Sequence, residues 1–202
     1  MGDDHDLEAV LDFWFGELDD EGNADKAHIE RWFTSDPAFD AECRARFSDL
    51  HEAVAAGERE AWLEAPRGRL AYVIVLDQLS RNMFRGTAKM FAYDARSLRA
   101  AEAGVAAGED RRLAFAERGF LYMPLMHAED AAAQARCVAL FEALRDEVSG
   151  ERRRRAAMSL DFAEQHRAII ERFGRFPHRN ATLGRASTPE ELAFLEQPGS
   201  SF

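Results

Sequence analysis

Apolar residues recur every three or four positions along almost the whole chain, and this spacing limits the fold more than any other feature of the sequence. It is the period at which one face of an α-helix returns to a core, whereas a half-buried strand alternates every second residue. Residues 6–15, followed by Gly16, show it plainly, with apolar side chains at Leu7, Val10, Leu11, Trp14 and Phe15. We therefore expect an all-α protein.

Residues 70–76 are the one place where a strand competes with a helix. Their sequence, Leu-Ala-Tyr-Val-Ile-Val-Leu, includes β-branched residues that favour strands. The helical spacing nevertheless continues at Leu79, Met83 and Phe84, and no other stretch could pair with a lone strand. The segment is predicted to form a central, largely buried helix.

Capping and stop signals divide the rest of the chain into further helices. They are expected at about residues 25–33, 37–56, 87–107, 113–126, 129–148, 151–173 and 189–196. In the last long helix one apolar stripe is predicted, formed by Met158, Phe162, His166, Ile169, Ile170 and Phe173. Short connections between seven or eight helices imply antiparallel hairpins, either stacked or in a compact bundle, within a single domain over residues 1–202.

The charge balance and the cysteines limit the classes of partner and compartment. A formal net charge of -11 argues against nucleic-acid binding. The run of four arginines at residues 152–155 is expected on a solvated face beside Glu147 and Glu151. No signal-peptide pattern opens the chain and no apolar run could span a membrane, so we expect a cytoplasmic protein without a membrane partner. Cys43 and Cys137 are predicted to be buried free thiols.

Residues 173–185, Phe-Gly-Arg-Phe-Pro-His-Arg-Asn-Ala-Thr-Leu-Gly-Arg, depart from the helical pattern. Gly174 and Pro177 exclude a helix interior, and the segment is basic in an acidic chain. Phe176 and Leu183 are predicted to dock against the helical body. We expect a non-helical C-terminal segment that forms one wall of a site.

Two other motifs carry polar side chains beside apolar runs. On the central helix, Asp77 and Arg81 lie one turn apart, as do Gln78 and Asn82. They are either a wall of a pocket or an exposed ion pair with solvated amides.

His127 and Glu129 lie at a break between two helices, close to Pro124. The pair could act as a general base. Alternatively, Glu129 stabilises the helix N-terminus and His127 binds a loop carbonyl.

His166 falls within the apolar stripe of the last long helix, where a histidine is usually a hydrogen-bonded core residue. A metal site would have to collect His127, Glu129, His166, His178 and perhaps Asp77. The spacings match no metal motif, so neither a metal nor another cofactor is predicted.

Four motifs in order along the chain resemble the DUF924 family of uncharacterised bacterial proteins. They are Phe-Trp-Phe-Gly at residues 13–16, Leu-Asp-Gln-Leu-Ser-Arg-Asn at 76–82, Phe-Leu-Tyr-Met-Pro at 120–124 with Met-His-Ala-Glu at 126–129, and Phe-Gly-Arg-Phe-Pro-His-Arg-Asn at 173–180 with Gly-Arg at 184–185. The family more often has Phe-Pro where this chain has Leu79-Ser80, and Ser where it has Ala128, a change that removes a hydroxyl.

The resemblance implies a tetratricopeptide-like superhelix and names no substrate. It also implies that the polar motifs belong together. We therefore expect ten side chains to converge in one binding site: Asp77, Gln78, Arg81, Asn82, His127, Glu129, Arg175, His178, Arg179 and Asn180.

The function inferred from these residues is the binding of a small anionic or polar metabolite. Arg175 and Arg179 would hold the anion and Arg81 would assist. Whether the protein is an enzyme stays open; candidates for proton transfer are His127, Glu129 and His178.

The alternative function is protein–protein interaction, in which helical hairpins bind a protein or peptide and the polar cluster is structural. Internal pairing of the polar residues would favour this alternative. Arg and His side chains that face a cavity would favour the ligand site.

Overall fold

Helices form the regular secondary structure of the computed structural model, which describes the backbone of residues 2–200 and the side chains of residues 5–200. No strand occurs in this range, and the predicted all-α class is confirmed. The α-helices are α1 (Gly2–Phe15), α2 (Lys26–Trp32), α3 (Pro37–Ala56), α4 (Pro66–Val73), α5 (Ser80–Met83), α6 (Asp94–Ala106), α7 (Phe115–Met126), α8 (Ala131–Glu147), α9 (Gly150–Phe173) and α10 (Pro189–Leu195). Shorter 3-10 turns lie at Glu60–Glu64, Ala88–Phe91, Glu109–Arg112 and Pro177–Arg179.

The central segment is helical, as predicted. A π-helical turn, Ile74–Leu79, joins α4 to α5, so that one helix runs through residues 66–83. Counted in this way, the described residues hold nine helices, which correspond to the nine segments predicted one by one and exceed the predicted total of seven or eight. The stacked, tetratricopeptide-like arrangement stays a prediction.

Side-chain caps set several of these helix starts. The carboxylates of Asp25, Asp36 and Asp130 each accept a backbone N–H from the first turn of α2, α3 and α8. Thr188 and Glu191 form a reciprocal capping box at the start of α10. For α2, α3 and α10 the same capping residues gave the predicted starts, because a cap is a local interaction readable from sequence. Helix α8 begins at Ala131, two residues later than predicted, with Asp130 as its cap.

The central helix begins earlier than the apolar spacing indicated. Pro66 occupies its first turn, where the missing N–H has no intrahelical partner to lose. Gly68 follows because a Cβ there would collide with the backbone carbonyl of Trp62. These two residues, which precede the predicted segment 70–76, belong to the helix.

The predicted helix over residues 87–107 is divided. A 3-10 turn, Ala88–Phe91, precedes α6, which starts only at Asp94. Arg81 binds both the Met90 carbonyl, at 3.3 Å, and the Asp94 carboxylate, at 2.9 and 3.1 Å. These bonds from Arg81 accompany the division between the 3-10 turn and α6. The residues next to the division do not indicate them in the sequence.

The chain forms two compact units. The first contains the described residues up to Arg85 together with Lys89–Leu125, and the second contains Gly86–Ala88 together with the described residues from Met126 onward. An aromatic core fills the first unit, where Trp14 meets Phe120 edge-on with ring centroids 5.6 Å apart. The hairpin of α8 and α9 is the frame of the second unit. The expectation of a single domain stays a prediction.

The two cysteines are free and buried, as expected. Burial raises the pKa of Cys137 to about 12. Within residues 2–200, none of the helices combines the length and apolar character needed to cross a bilayer.

Candidate functional site

The loop between α7 and α8 is fixed by one buried amide. Gln134 is fully buried and donates from Nε2 to the carbonyl oxygens of Met126, at 2.6 Å, and Ala128, at 2.8 Å. His127 and Glu129 therefore project from a backbone whose course is set.

In the C-terminal segment, residues 174–185 are non-α-helical, as predicted, whereas Phe173 is the last residue of α9. Gly174 ends α9 with a φ of +68°, a left-handed conformation that favours glycine. The turn Pro177–Arg179 then leads the chain away from the helix axis.

Phe176 anchors this segment. Its side chain is fully buried and packs with Ile169 and Ile170 of α9. The predicted docking of Phe176 is confirmed, whereas Leu183 is only half-buried.

Glu129 clamps the segment to the loop after α7. Its carboxylate accepts the Phe176 amide at 2.8 Å and forms a bidentate pair with Arg185 at 2.6 and 2.8 Å. Partial burial opposes ionisation of Glu129, but the hydrogen bonds from Arg185 and Phe176 and the charges of Arg185 and Arg179 hold its pKa below the usual value. An ionised clamp of this kind is a weak base near neutral pH.

Arg175 is held by a second carboxylate of the same unit. It donates from Nε and Nη2 to the two oxygens of Glu191, at 2.6 and 2.8 Å, and from Nη2 to the Ala186 carbonyl at 2.9 Å. The Arg175 hydrogen bonds and the Thr188 amide lower the pKa of Glu191 to about 2. Arg175 therefore ties the C-terminal segment to α10.

Asn180, like Arg175, is held by hydrogen bonds within the second unit. Only 1% of it is exposed, and its amide nitrogen donates to Ser187 Oγ at 3.0 Å and to Glu191 at 3.3 Å. Its carbonyl oxygen accepts from Arg185 Nε at 2.9 Å.

Two imidazoles and a guanidinium lie around the Phe176 ring, and a third imidazole lies beside one of them. The centroids of His166 and His178 lie 5.5 and 5.6 Å from that of Phe176, and Arg179 Cζ lies 4.5 Å from it. His127 lies 6.4 Å from His166. We call His127, His166, His178 and Arg179 the imidazole cluster.

Proton uptake by His166 is strongly disfavoured within this cluster. Its Nδ1 lies 2.8 Å from the Phe162 carbonyl oxygen, which fixes the N–H tautomer at that nitrogen. The pKa of His166 falls to about 3, chiefly because of burial and then because His127, Arg179 and His178 lie nearby; the Phe162 carbonyl acts in the opposite direction. Within the cluster, Arg179 supplies a positive charge although the chain as a whole is acidic.

The members of the imidazole cluster differ in exposure. His127 and His178 are half-buried, whereas His166 and Arg179 are 5% and 6% exposed. Arg179 is oriented by a bond from Nη2 to the His127 carbonyl at 3.0 Å. A molecule from solvent would thus meet the two half-buried imidazoles first.

The polar residues of the central helix lie in the first unit. Asp77 is fully buried in the π-helical turn and accepts from Gln78 Nε2 at 2.5 Å. Arg81 approaches Asp77 at 3.4 Å and makes its bidentate pair with Asp94. A π-helical turn is rare and is often found at functional sites.

Asn82 belongs to a neighbouring network. It donates to Asp40 Oδ1 at 3.0 Å, and Arg85 donates to both oxygens of the same carboxylate at 2.6 and 2.9 Å. Both central-helix networks thus close on carboxylates of the first unit.

The predicted site residues therefore fall into two groups. Asp77, Gln78, Arg81 and Asn82 lie in the first unit, and His127, Glu129, Arg175, His178, Arg179 and Asn180 lie in the second. Within the second group, Glu129, His178 and Arg179 contact Phe176, and His127 accepts a bond from Arg179 through its carbonyl. Convergence of all ten side chains stays a prediction.

Two members of the second unit were missed. His166 was assigned to the core from its helical spacing, and nothing in the sequence places it beside His127. Glu191 is locatable as a capping-box residue of α10, but the capping box does not indicate Arg175 as its partner.

The first unit also contains a buried histidine–serine pair that the sequence did not indicate. His51 Nε2 lies 2.8 Å from Ser80 Oγ, and both side chains are fully buried. Burial, followed by the charge of Lys89, lowers the pKa of His51 to about 4.

The placement of the possible metal-ligating side chains bears on the metal site considered above. Over the side chains of residues 5–200, no three His, Cys, Asp or Glu residues are placed to hold a metal ion together.

The described residues thus define an all-helical protein in which three imidazoles and Arg179 lie in one cluster. The family model for the bacterial proteins of unknown function DUF924 matches residues 10–199, and the chain belongs to this family. No curated protein matches the sequence. A solved structure of a protein of unknown function from Agrobacterium tumefaciens is similar, with 41% identity, a TM-score of 0.80, and coverage of 94% of this chain and 96% of that one.

Proposed function

We propose that the second unit binds a small anion, a carboxylate or a phosphate, at the imidazole cluster. The observation that carries this proposal is the cluster at Phe176: the rings of His166 and His178 and the Arg179 guanidinium lie against the Phe176 ring, and His127 lies beside His166. Arg179 and imidazole N–H groups are suitable donors to a carboxylate or phosphate.

The local charge supports an anion rather than a cation. Glu129 is the carboxylate nearest the cluster in the hydrogen-bond network, and Arg185 engages both of its oxygens. Arg179 adds a positive charge beside Phe176, with its Cζ 4.5 Å from the centroid of that ring. An anion attracted there would reach His127 and His178 first, because they are the half-buried members.

Among the arginines expected to hold the anion, Arg179 is the one that lies in the imidazole cluster, beside Phe176 and the His127 carbonyl. Arg175 is engaged in a bidentate pair with Glu191, and Arg81 in one with Asp94. Breaking either pair to bind a ligand would cost a charge-assisted interaction. We propose no chemical step.

Thermal unfolding with inorganic phosphate or acetate as the probe tests the proposal. At about 100 times the dissociation constant, a ligand stabilises by about 2.7 kcal/mol, which raises the Tm of a chain of this size by about 5–10 °C. We expect this shift in the wild type and its loss in His178→Ala and Arg179→Ala. The matched control is Arg136→Ala, which removes a positive charge from an exposed position on α8.

Equal stabilisation of the wild type and both cluster variants would show that the proposed site is wrong. Comparing phosphate with acetate identifies the preferred anion. Absence of a shift with either probe at high concentration would also contradict the proposal.

The alternative function, a protein-interaction module with a structural polar cluster, is favoured by the internal pairs of Arg175, Glu129 and Asn180. It predicts that His178→Ala and Arg179→Ala alter stability by the same amount with and without anion. The same titration therefore separates the two functions.

A further inference from the structure

The apolar stripe predicted along α9 is covered over only part of its length. Ile169 and Ile170 are buried with Phe176, but Met158 and Phe162, one turn apart, are 60% and 48% exposed. The stripe was expected to be continuous, so the exposure of its N-terminal half is a correction. Adjacent exposed large apolar side chains on one helix face are typical of a surface that receives a partner.

Charged side chains are ordered around Met158. Arg154 and Arg155 lie four and three residues before it, and Asp161 and Phe162 lie three and four residues after it. On a helix, Arg154 and Asp161 fall on one flank of Met158, and Arg155 and Phe162 fall on the other. We call these five residues the α9 face.

This order is self-complementary. Suppose that two α9 helices pack antiparallel about a two-fold axis that passes through Met158. Each residue before Met158 in one copy then lies opposite a residue after Met158 in the other copy, on the same flank. Arg154 would then face Asp161, and Arg155 would face the Phe162 ring. Two-fold symmetry makes each contact twice.

The partners within the chain do not prevent this pairing. Arg154 and Arg155 both pair with Glu151, but Arg154 is 73% exposed and Glu151 is 51% exposed. Exposed ion pairs of this type contribute little and exchange readily. Asp161 is exposed as well, with its charge at the surface.

We propose that the α9 face binds a second copy of this chain, as an antiparallel homodimer centred on Met158. The proposed dimer is independent of the anion site, because no member of the imidazole cluster belongs to the α9 face. The proposal names the residues that face each other as well as the number of copies, and the charges of these residues can be exchanged by mutation.

Sedimentation equilibrium of the full chain, from about 1 μM to about 1 mM, measures the dimer directly. We expect Asp161→Arg to raise the dissociation constant at least about tenfold, because two attractive contacts become repulsive, and Arg154→Asp to do the same. The combined variant, with both substitutions, should return to within about threefold of the wild type. Phe162→Ser should also weaken the dimer, whereas Leu192→Ser, at another exposed apolar position, should not.

Far-ultraviolet circular dichroism confirms that each variant is folded, as expected for exposed positions. A protein that stays monomeric throughout the concentration range overturns the proposal, as does a dimer that neither Asp161→Arg nor Phe162→Ser weakens. A dimer weakened by both single reversals but not restored by the combined variant contradicts the antiparallel contacts. Phosphate binding at His178 would be unaffected by any of these results.

Discussion

The two polar motifs that the sequence singles out differ in how far water reaches them. In the first unit, Asp77 is fully buried, and Arg81 closes on Asp94. In the second unit, His127 and His178 remain half-buried beside Arg179. Both motifs look alike as clusters of polar residues next to apolar runs. Clustered polar residues in the sequence therefore indicate where a hydrogen-bond network lies. The exposure of its side chains distinguishes a structural network from one that a ligand can reach.

The largest expected effect is in the buried network. Asp77→Ala removes the carboxylate that Gln78 and Arg81 approach, and leaves their polar groups in a dry interior. Removing one partner of a buried pair costs about 3–5 kcal/mol. Urea unfolding should show this loss, with Asp49→Ala, at an exposed position of α3, as the control. A change of less than about 1 kcal/mol would contradict the assignment of Asp77 to a closed structural network.

A pH titration of stability compares one buried histidine from each unit. The pKa of His51 is lowered to about 4 and that of His166 to about 3, so the unfolded chain binds more protons than the folded one below pH 6.5. Their contribution is therefore complete above about pH 6.5 and is lost as the pH falls. The slope is about 1.4 kcal/mol per pH unit for each histidine.

The window from about pH 6 to 5 isolates these histidines, because the carboxylates with lowered pKa values lose their contribution only below about pH 4.5. Urea unfolding in this window should give a shallower slope for His51→Gln and for His166→Gln, by about half in each case. Unchanged slopes would show that neither imidazole is held neutral by the fold.

A smaller effect is expected at the clamp of the second unit. Glu129→Gln keeps a carbonyl acceptor for the Phe176 amide but loses the charge that Arg185 pairs with. The clamp side chains are each 25% exposed, and we expect a loss of about 1–2 kcal/mol. A double-mutant cycle with Arg185→Gln measures the coupling, and Glu164→Gln at an exposed position of α9 is the control. Coupling near zero would remove Glu129 from the clamp.

Local chemistry explains what the sequence predicted well. Asp36 before Pro37, Gly57, and the Thr188 capping box mark helix ends through contacts within a few residues. The docking of Phe176 was also predictable, because a large apolar side chain in a non-helical segment needs burial.

The remaining features depend on contacts between distant residues. The bond from Arg81 to Asp94 accompanies a late start of α6, and Glu191 captures Arg175 across the C-terminal segment. His166 was assigned to the core correctly, but its neighbour His127 lies 39 positions away in the sequence. Helical spacing identified the apolar stripe of α9. It could not show which part of the stripe is buried, because burial depends on where the C-terminal segment with Phe176 packs against α9.

The π-helical turn Ile74–Leu79 makes the length of the central helix as important as its composition. Deleting one residue from it would restore α-helical register and rotate everything after it by about 100° relative to α4. Ser80 would turn away from His51, and Arg81 from Asp94, although every side chain involved would still be encoded. Within this turn the chain should tolerate many substitutions better than the loss of a single codon.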